Sequence, residues 1–463
     1  MPKLTNKQTL SLVVLITLPY LSVIADNKPK LADNPAANAH LNRQPFTLAQ
    51  AIDYALANNP DMQIAAERIG QAEAQLGVAM SAFYPQVTAR IGYEHSDNPA
   101  QVFAMMVAQR QFDPSFIGNI NNPGGRENFR PEITGKMSLF RGGQDYYNSE
   151  AAKLGIKSAE LEQSALHNAL IQAVTASYYG YLAAVEAHKV AQDSINTINS
   201  ELDQTRKQYE VGTALKSDML SLEVQLADAQ SSEIRTANGI EMAQTSMATL
   251  LGMSAHEVFS IAPAAELPKP ALSTAFNNLL DQALVQRPEV KAAATQVEIS
   301  QRQLKSEQGA YLPRADAFVS YGQNSEEPGF SASRDNVTVG VAVEMDLFNG
   351  FNTQQRVSAA TRKAAEARET ERKIKLVIEQ EVRTAYLQLE EALARLHVAE
   401  ASVAASDEAL RLVNEQRRAE VVTVTRYIES EVARNKAHSN TIAARYDALS
   451  AEAALKKAIG AWK

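Results

Sequence analysis

The sequence predicts a mostly α-helical fold with a small antiparallel β part, built twice from one repeated unit. Three observations support this prediction. Two stretches of the chain match each other in register, each stretch contains a long run without proline, and short segments of alternating apolar residues precede each run. Each run is far longer than the average globular helix of about 11–12 residues.

Composition and charge limit the class of protein. The chain has 463 residues, of which 45% are hydrophobic, no cysteine and a formal net charge of −8. The mild acidity argues against a nucleic-acid partner, which would require a basic patch. The lack of cysteine excludes a disulfide framework, thiolate catalysis and cysteine-ligated metal sites.

The N-terminus has the pattern of a secretory signal peptide. Lys3 and Lys7 precede an apolar run that ends at Ala25, and residues 26–46 form a polar, proline-containing lead-in. The alternative is a membrane anchor, but Pro19 interrupts the run, which is shorter than the roughly 20 residues that a spanning helix needs. We therefore expect cleavage after residue 25 and export of the chain.

An internal duplication sets the domain organisation. The first repeat is predicted over 47–262, a proline-rich linker over 263–274 and the second repeat over 275–460. The first copy carries an insertion between Tyr93 and Leu139. The matches on either side of it pair Pro60, Pro85, Tyr93, Leu139 and Gly142 with Pro288, Pro313, Tyr321, Leu347 and Gly350.

Each repeat is expected to contribute two β-strands. The first lies at 86–94 or 314–322, and the second is clearest where apolar residues alternate from Val337 to Leu347. Strands of about 10 residues suit a tilted membrane-spanning strand. Four strands cannot close a barrel, for which about eight are needed, whereas three copies would supply about 12. The hairpin loop of the first copy is expected over 95–129.

A long helix and a return helix follow the strands in each copy. They are predicted over 144–211 and 217–251 in the first copy, and over 352–419 and 425–459 in the second. An apolar stripe on the second long helix recurs with a period near that of a straight helix; it consists of Ile374, Ile378, Val382, Ala385, Leu389, Leu393 and Leu396. An ordinary coiled-coil seam remains the alternative interpretation of this stripe.

The order of several short motifs resembles the TolC family of outer-membrane efflux proteins. The resemblance covers about 46–460, and the motifs are Thr47–Ile52, Asn59-Pro60, Phe83-Tyr84-Pro85, Leu139–Gly143, Tyr209–Leu220 and Leu250–Gly252. Each motif is weak alone, but their order within a helix–strand–strand–helix plan that occurs twice is specific.

The resemblance implies a homotrimer with a 12-stranded barrel in the outer membrane and a helical tunnel in the periplasm. Such a channel is the passive exit duct of a tripartite efflux or type I secretion system. An inner-membrane transporter energises it through a periplasmic adaptor protein. No enzymatic activity and no cofactor are then expected, and the sequence contains neither a P-loop nor an HExxH motif. The alternative is a secreted or periplasmic coiled-coil adhesin or scaffold without a pore.

The turns between the long helices hold the candidate gate residues. In this family the second turn typically has a glycine followed six and nine positions later by acidic residues. Gly212 and Asp218 keep this spacing in the first copy, whereas the second copy has Glu420, Arg426 and Glu429. We hypothesise that Asp218, Arg426 and Glu429 form an ion-pair network that holds the entrance closed. The alternative is a solvated pair of Arg426 and Glu429. No metal site is predicted, because the seven histidines lack ligand spacing.

Overall fold

The computed structural model describes residues 45–254, 257, 259–262, 267–272, 274–419 and 421–462. The predicted signal peptide, nearly all of the lead-in and part of the linker lie outside these residues. Phe46 and residues 259–262 belong to a small unit of their own. In this unit Phe46 forms a parallel bridge with Ile261, and the ring centroids of Phe46 and Phe259 lie 6.3 Å apart.

The larger unit contains the two repeats, and each has the predicted order of elements. The first copy consists of α1 (Leu48–Asn58), α2 (Pro60–Met80), β1 (Gln86–Ser96), α3 (Pro99–Ala108), β2 (Arg126–Arg141), α4 (Gln144–Glu210) and α5 (Lys216–Leu251). The second consists of α6 (Phe276–Gln286), α7 (Pro288–Gly309), β3 (Arg314–Gln323), β4 (Asp335–Glu344), α8 (Asn352–Arg418) and α9 (Val424–Ala458).

Local chemistry explains the helix starts of the first copy. Thr47 caps α1 in a capping box with Gln50, which satisfies backbone N–H groups that have no partner within the helix. The Asn59 side chain accepts from the Asp61 N–H at 2.8 Å and stands before Pro60, which tolerates the first helical position. The Asn59 amide also donates to the Leu250 carbonyl at 2.9 Å, and this contact ties the start of α2 to the end of α5.

The four strands form one antiparallel sheet in the order β1-β2-β3-β4. The weakly patterned second strand of the first copy is the longest, because its pairings with β1 (residues 126–136) and with β3 (residues 132–141) are offset along it. The predicted strand from Val337 to Leu347 is too long at its end. Glu344 pairs with Arg314, the first residue of β3. Pro313, directly before it, has no N–H to donate to a partner strand, so Met345 and Leu347 lie beyond the sheet.

The hairpin loop predicted over 95–129 is shorter than expected and contains a helix. β1 continues to Ser96, β2 begins at Arg126, and α3 lies between them. The Asn98 side chain accepts from the N–H groups of Ala100 and Gln101 and so caps α3. Asparagine at the cap and proline at the first turn form a helix-start signal, and the apolar run that follows it is helical rather than irregular.

The long helices are confirmed almost to the residue. α4 and α8 each contain 67 residues. The apolar stripe of α8 is buried from Ile378 to Leu389 and packs against α6, α7 and α9. Burial of large aliphatic side chains contributes about 1.5–3 kcal/mol each, so this stripe holds α8 in place. None of the described helices is both long and apolar enough to cross a membrane.

Candidate functional site

The two faces of the sheet differ in chemistry. The side chains of one face, which we call the apolar face, are exposed; they include Val87, Ile91, Tyr93, Ile133, Met137, Leu139, Val319, Tyr321, Val337, Val339, Val341 and Val343. The other face, which we call the polar face, is formed by the alternating partners in the same register; these include Thr88, Arg90, Glu94, Ser96, Arg126, Asn128, Arg130, Glu132, Thr134, Lys136, Asp316, Ser320 and Thr338. An exposed apolar surface of this extent indicates contact with lipid or protein.

Ion pairs run across the polar face. Lys136 Nζ lies 3.5 Å from an oxygen of Asp316 on the neighbouring strand, and Arg314 lies 2.6 Å from Glu344. Arg130 pairs with Glu132 at 3.0 Å. These side chains remain partly exposed to solvent, so the polar face is a wet, charged surface with both signs present.

The turn from α4 to α5 is built around Gly212, whose φ is +81°. The Gly212 N–H donates to the Tyr209 carbonyl at 3.0 Å and the Thr213 N–H to the Gln208 carbonyl at 2.9 Å, which is the bonding pattern of a Schellman motif. In the second copy the Val421 N–H donates to the Gln416 carbonyl at 2.9 Å. The predicted turn residue Glu420 lies outside the described residues.

The structure brings two of the three charged gate candidates together. Arg426 Nη1 and Glu429 Oε2 are 3.2 Å apart in the first turns of α9, with 63% and 59% of their side chains exposed. Asp218 lies half-buried in the first turn of α5. Within the described part of the chain it forms no ion pair with either residue. The Arg426–Glu429 pair alone contributes only about 0.3–0.5 kcal/mol, and the gate role remains a prediction.

A buried contact near these turns was not predicted from the sequence. Arg417, at the end of α8, pairs with Glu201 of α4, and both side chains are nearly buried. Arg417 also donates to the Thr205 hydroxyl at 3.0 Å and lies 5.7 Å from the ring centroid of Tyr427. The first copy has Tyr209 at the position equivalent to Arg417. This difference between the repeats is the sequence feature that could have drawn attention to Arg417.

A second polar cluster lies further along α9. Glu431 is 1% exposed; its Oε1 accepts from Asn435 at 3.2 Å, but its Oε2 has no hydrogen-bond partner. Burial raises the pKa of the Glu431 carboxyl, although Asn435 and the nearby Arg434 and His438 oppose the shift.

Asp407 of α8 binds two side chains of this cluster. It accepts from Arg434 at 2.8 Å and lies 2.9 Å from the Nε2 of His438. Burial would raise the pKa of Asp407, but the hydrogen bonds from His438 and Arg434 outweigh it and hold this pKa below its ordinary value. In the described residues no three His, Asp or Glu side chains are grouped so that they could hold a metal ion.

Comparison with known proteins places this geometry in a family. A family model described as outer membrane efflux protein matches residues 51–253 and 279–461, one segment in each repeat. The alkaline protease secretion protein AprF of Pseudomonas aeruginosa is 23% identical over 295 residues, which cover 62% of this chain and 60% of AprF. The outer membrane protein TolC of Vibrio cholerae is 20% identical over 420 residues, which cover 89% of this chain and 90% of TolC.

Solved structures share the fold. The channel protein CusC matches with a TM-score of 0.76 at 17% identity, covering 89% of this chain and 92% of that chain. The predicted fold class, mostly helical with a small four-stranded sheet, is confirmed by this likeness. The chain spans 60% of AprF and 63% of the protein CyaE of Bordetella pertussis, which is less than two thirds of either relative.

The family match also bears on location and activity. The matching model and the TolC relative are both described as outer-membrane proteins, which confirms the predicted outer-membrane localisation. The family consists of efflux proteins and not of enzymes, in agreement with the prediction that the chain is not an enzyme. Because the family model covers both repeats, the chain belongs to the outer membrane efflux protein family.

Proposed function

We propose that three copies of the chain form an outer-membrane channel. The observation that carries this proposal is the two-faced sheet, with an exposed apolar face and a charged polar face. Each sheet ends in two open edges, β1 and β4. Open edges cannot stand in lipid, because backbone groups there have no water to bond. Pairing β4 of one copy with β1 of the next would close a barrel of about 12 strands, with the polar face inward.

The channel would act as the exit duct of a tripartite efflux or type I secretion system. The long helices leave the sheet at one end and would extend the duct into the periplasm, toward an adaptor protein and an inner-membrane transporter. The names of the relatives support both kinds of system: AprF is a protease secretion protein, and TtgC of Pseudomonas putida is a toluene efflux pump protein. The transporter would supply the energy.

Neighbouring residues of β4 provide a matched test of this proposal. Val339 is exposed on the apolar face and Thr338 lies on the polar face. An arginine or lysine on the lipid face costs about 2–4 kcal/mol at the membrane midplane, more than an aspartate or glutamate does. We expect Val339→Arg to abolish heat-labile trimers in the outer-membrane fraction, whereas Thr338→Arg assembles and conducts in planar bilayers. Trimers without conductance would instead support the pore-free scaffold.

We also propose that Asp218, Arg426 and Glu429 help to close the periplasmic entrance in the trimer. Both helix turns place charged side chains at the same end of the long helices, where threefold copies could face one another. Arg426→Asp is expected to change single-channel conductance and ion selectivity. Arg411 is a matched control, because it forms exposed ion pairs with Glu408 and Glu415 away from the turn. If Arg426→Asp left the conductance unchanged, as is expected for Arg411→Asp, the gate role would be contradicted. Arg426 and Glu429 would then form only a solvated ion pair.

A further inference from the structure

The helix α3 is apolar on all sides, apart from Gln101 near its start. It contains no charged residue. Val102, Met105 and Met106 are buried, while Phe103 and Val107 are exposed on the opposite side. A helix that is apolar all round belongs in a covered place rather than on an open surface. The α3 helix lies in the first hairpin, within the insertion that the second copy lacks.

The contacts of α3 place it over the polar face of the sheet. Near its start Gln101 accepts from the hydroxyl of Ser96. After its end Gln109 donates to Asn128 Oδ1 at 3.1 Å and accepts from Arg126 at 2.7 Å. Ser96, Asn128 and Arg126 all belong to the polar face, so both ends of α3 are bound on that side and not on the apolar side.

Burial shows that α3 covers this end of the sheet. Gln109 is 0% exposed, Asn128 4% and Asn324 9%, and the Asn128 amide donates to Asn324 at 3.0 Å. One position deeper on the same face of β2, 58% of the Arg130 side chain is exposed. The polar face is therefore covered at the end of the sheet where both hairpins turn, and it is exposed to solvent from Arg130 toward the other end.

Two hydrogen bonds from Arg110, which we call the clasp, connect the segment after α3 to the second hairpin. Arg110 donates from Nη1 to the Ser333 carbonyl at 2.9 Å and from Nη2 to the Asp335 carbonyl at 2.6 Å. Its φ is +56°, a conformation that costs a residue with a side chain about 1–2 kcal/mol. The backbone holds this conformation at the point where the side chain reaches the loop between β3 and β4.

We propose that residues 97–125 form a lid over the outer mouth of the channel, held shut by Arg110. This inference rests on the proposed function, because the polar face must line the pore for the lid to close it. Phe103 and Val107 are turned away from the sheet, so the lid presents an apolar surface toward the interior of the proposed barrel. It would narrow the outer mouth independently of the charged turns at the periplasmic end.

The test uses the lack of cysteine in the chain. Thr88→Cys in the full-length protein places a single thiol on the polar face, deeper than the lid. Intact cells are treated with a small and a bulky membrane-impermeant maleimide. Two variants open the lid: Arg110→Gly, which removes the clasp without backbone strain, and replacement of 97–125 by the shorter loop 324–334.

We expect the small reagent to label Thr88→Cys in every background and the bulky reagent to label it only when the lid is opened. Loss of hydrogen bonds from a charged donor should raise bulky-reagent labelling about tenfold or more. Equal bulky-reagent labelling with and without the lid would overturn the lid. If the small reagent labelled the thiol in no background, the polar face would not line a pore, and the proposed function would fail with it.

Discussion

Replacing Arg417 by methionine should loosen the contact between the two repeats near the helix turns. The side chains of Arg417 and Glu201 are 12% and 13% exposed, and Thr205 is fully buried. Methionine keeps the length of the apolar stem but leaves the Glu201 carboxylate without its partner. The contact joins α8 of the second copy to α4 of the first, so its loss should open the packing of these two helix ends.

The expected magnitude follows from the burial of the pair. Removing one partner of a buried ion pair costs about 3–5 kcal/mol, and the slight exposure here places the cost near the lower limit, at about 3 kcal/mol. This corresponds to a roughly 100-fold larger population of locally open states. Arg426→Met is the control, because its pair with Glu429 is exposed and is worth no more than about 0.5 kcal/mol.

Amide hydrogen exchange of the detergent-solubilised protein measures this difference. Peptides from the last turns of α4 and α8 should exchange about 100-fold faster in Arg417→Met, because exchange follows the local opening equilibrium. The same peptides should change no more than about twofold in Arg426→Met. Equal protection in the two variants would refute the assignment of a buried, stabilising role to Arg417.

Three further changes probe the packing. Since burial raises the pKa of Glu431, the folded chain binds more protons there than the unfolded chain. Stability is then highest below the ordinary glutamate pKa and falls as pH rises through the raised value. Glu431→Gln should be about 1–2 kcal/mol more stable than the parent at pH 8 with little difference at pH 4, and lower stability at pH 8 in thermal melts would contradict this. Gly252→Ala should cost about 3 kcal/mol or more, because φ is +75° and a Cβ would lie 2.5 Å from the Asn58 carbonyl oxygen. Gly212 has a φ of +81° and no atom within 4 Å of an added Cβ. Gly212→Ala should therefore lower the stability by only about 1–2 kcal/mol, which is the cost of the left-handed backbone conformation. Similar melting temperatures for the two alanine variants would contradict the predicted clash at Gly252.

The parts of the fold that could be predicted are long segments in which a single pattern, such as a helical period of apolar residues, extends over many turns. The proline-free runs and the apolar stripe on α8 predict long helices, because a helix buries a stripe at its own period. The duplication then transfers assignments from one copy to the other, as for Tyr93 and Tyr321, which lie in β1 and β3. The end of β4 was not predictable, since it depends on where β3 begins across the hairpin and not on the alternation from Val337 onward.

The parts that sequence reasoning missed depend on tertiary contacts. α3 has no polar side, so its apolar run has no helical period to read. Arg417 and Glu201 are far apart in the chain, and no local spacing connects them. The pair of Arg426 and Glu429 was readable because i,i+3 spacing brings side chains together on any helix. Asp218 lies on a different helix, and its relation to that pair depends on the assembly.

A cysteine scan along β2 tests the central claim, that the polar face lines water and the apolar face meets lipid. Single cysteines replace Thr134 and Lys136 on one face and Ile133 and Met137 on the other, in a chain without native cysteine. After outer-membrane insertion, a water-soluble maleimide should label the cysteines at 134 and 136 and leave those at 133 and 137 unreacted. Equal labelling at all four positions, or labelling with the opposite alternation, would contradict the account.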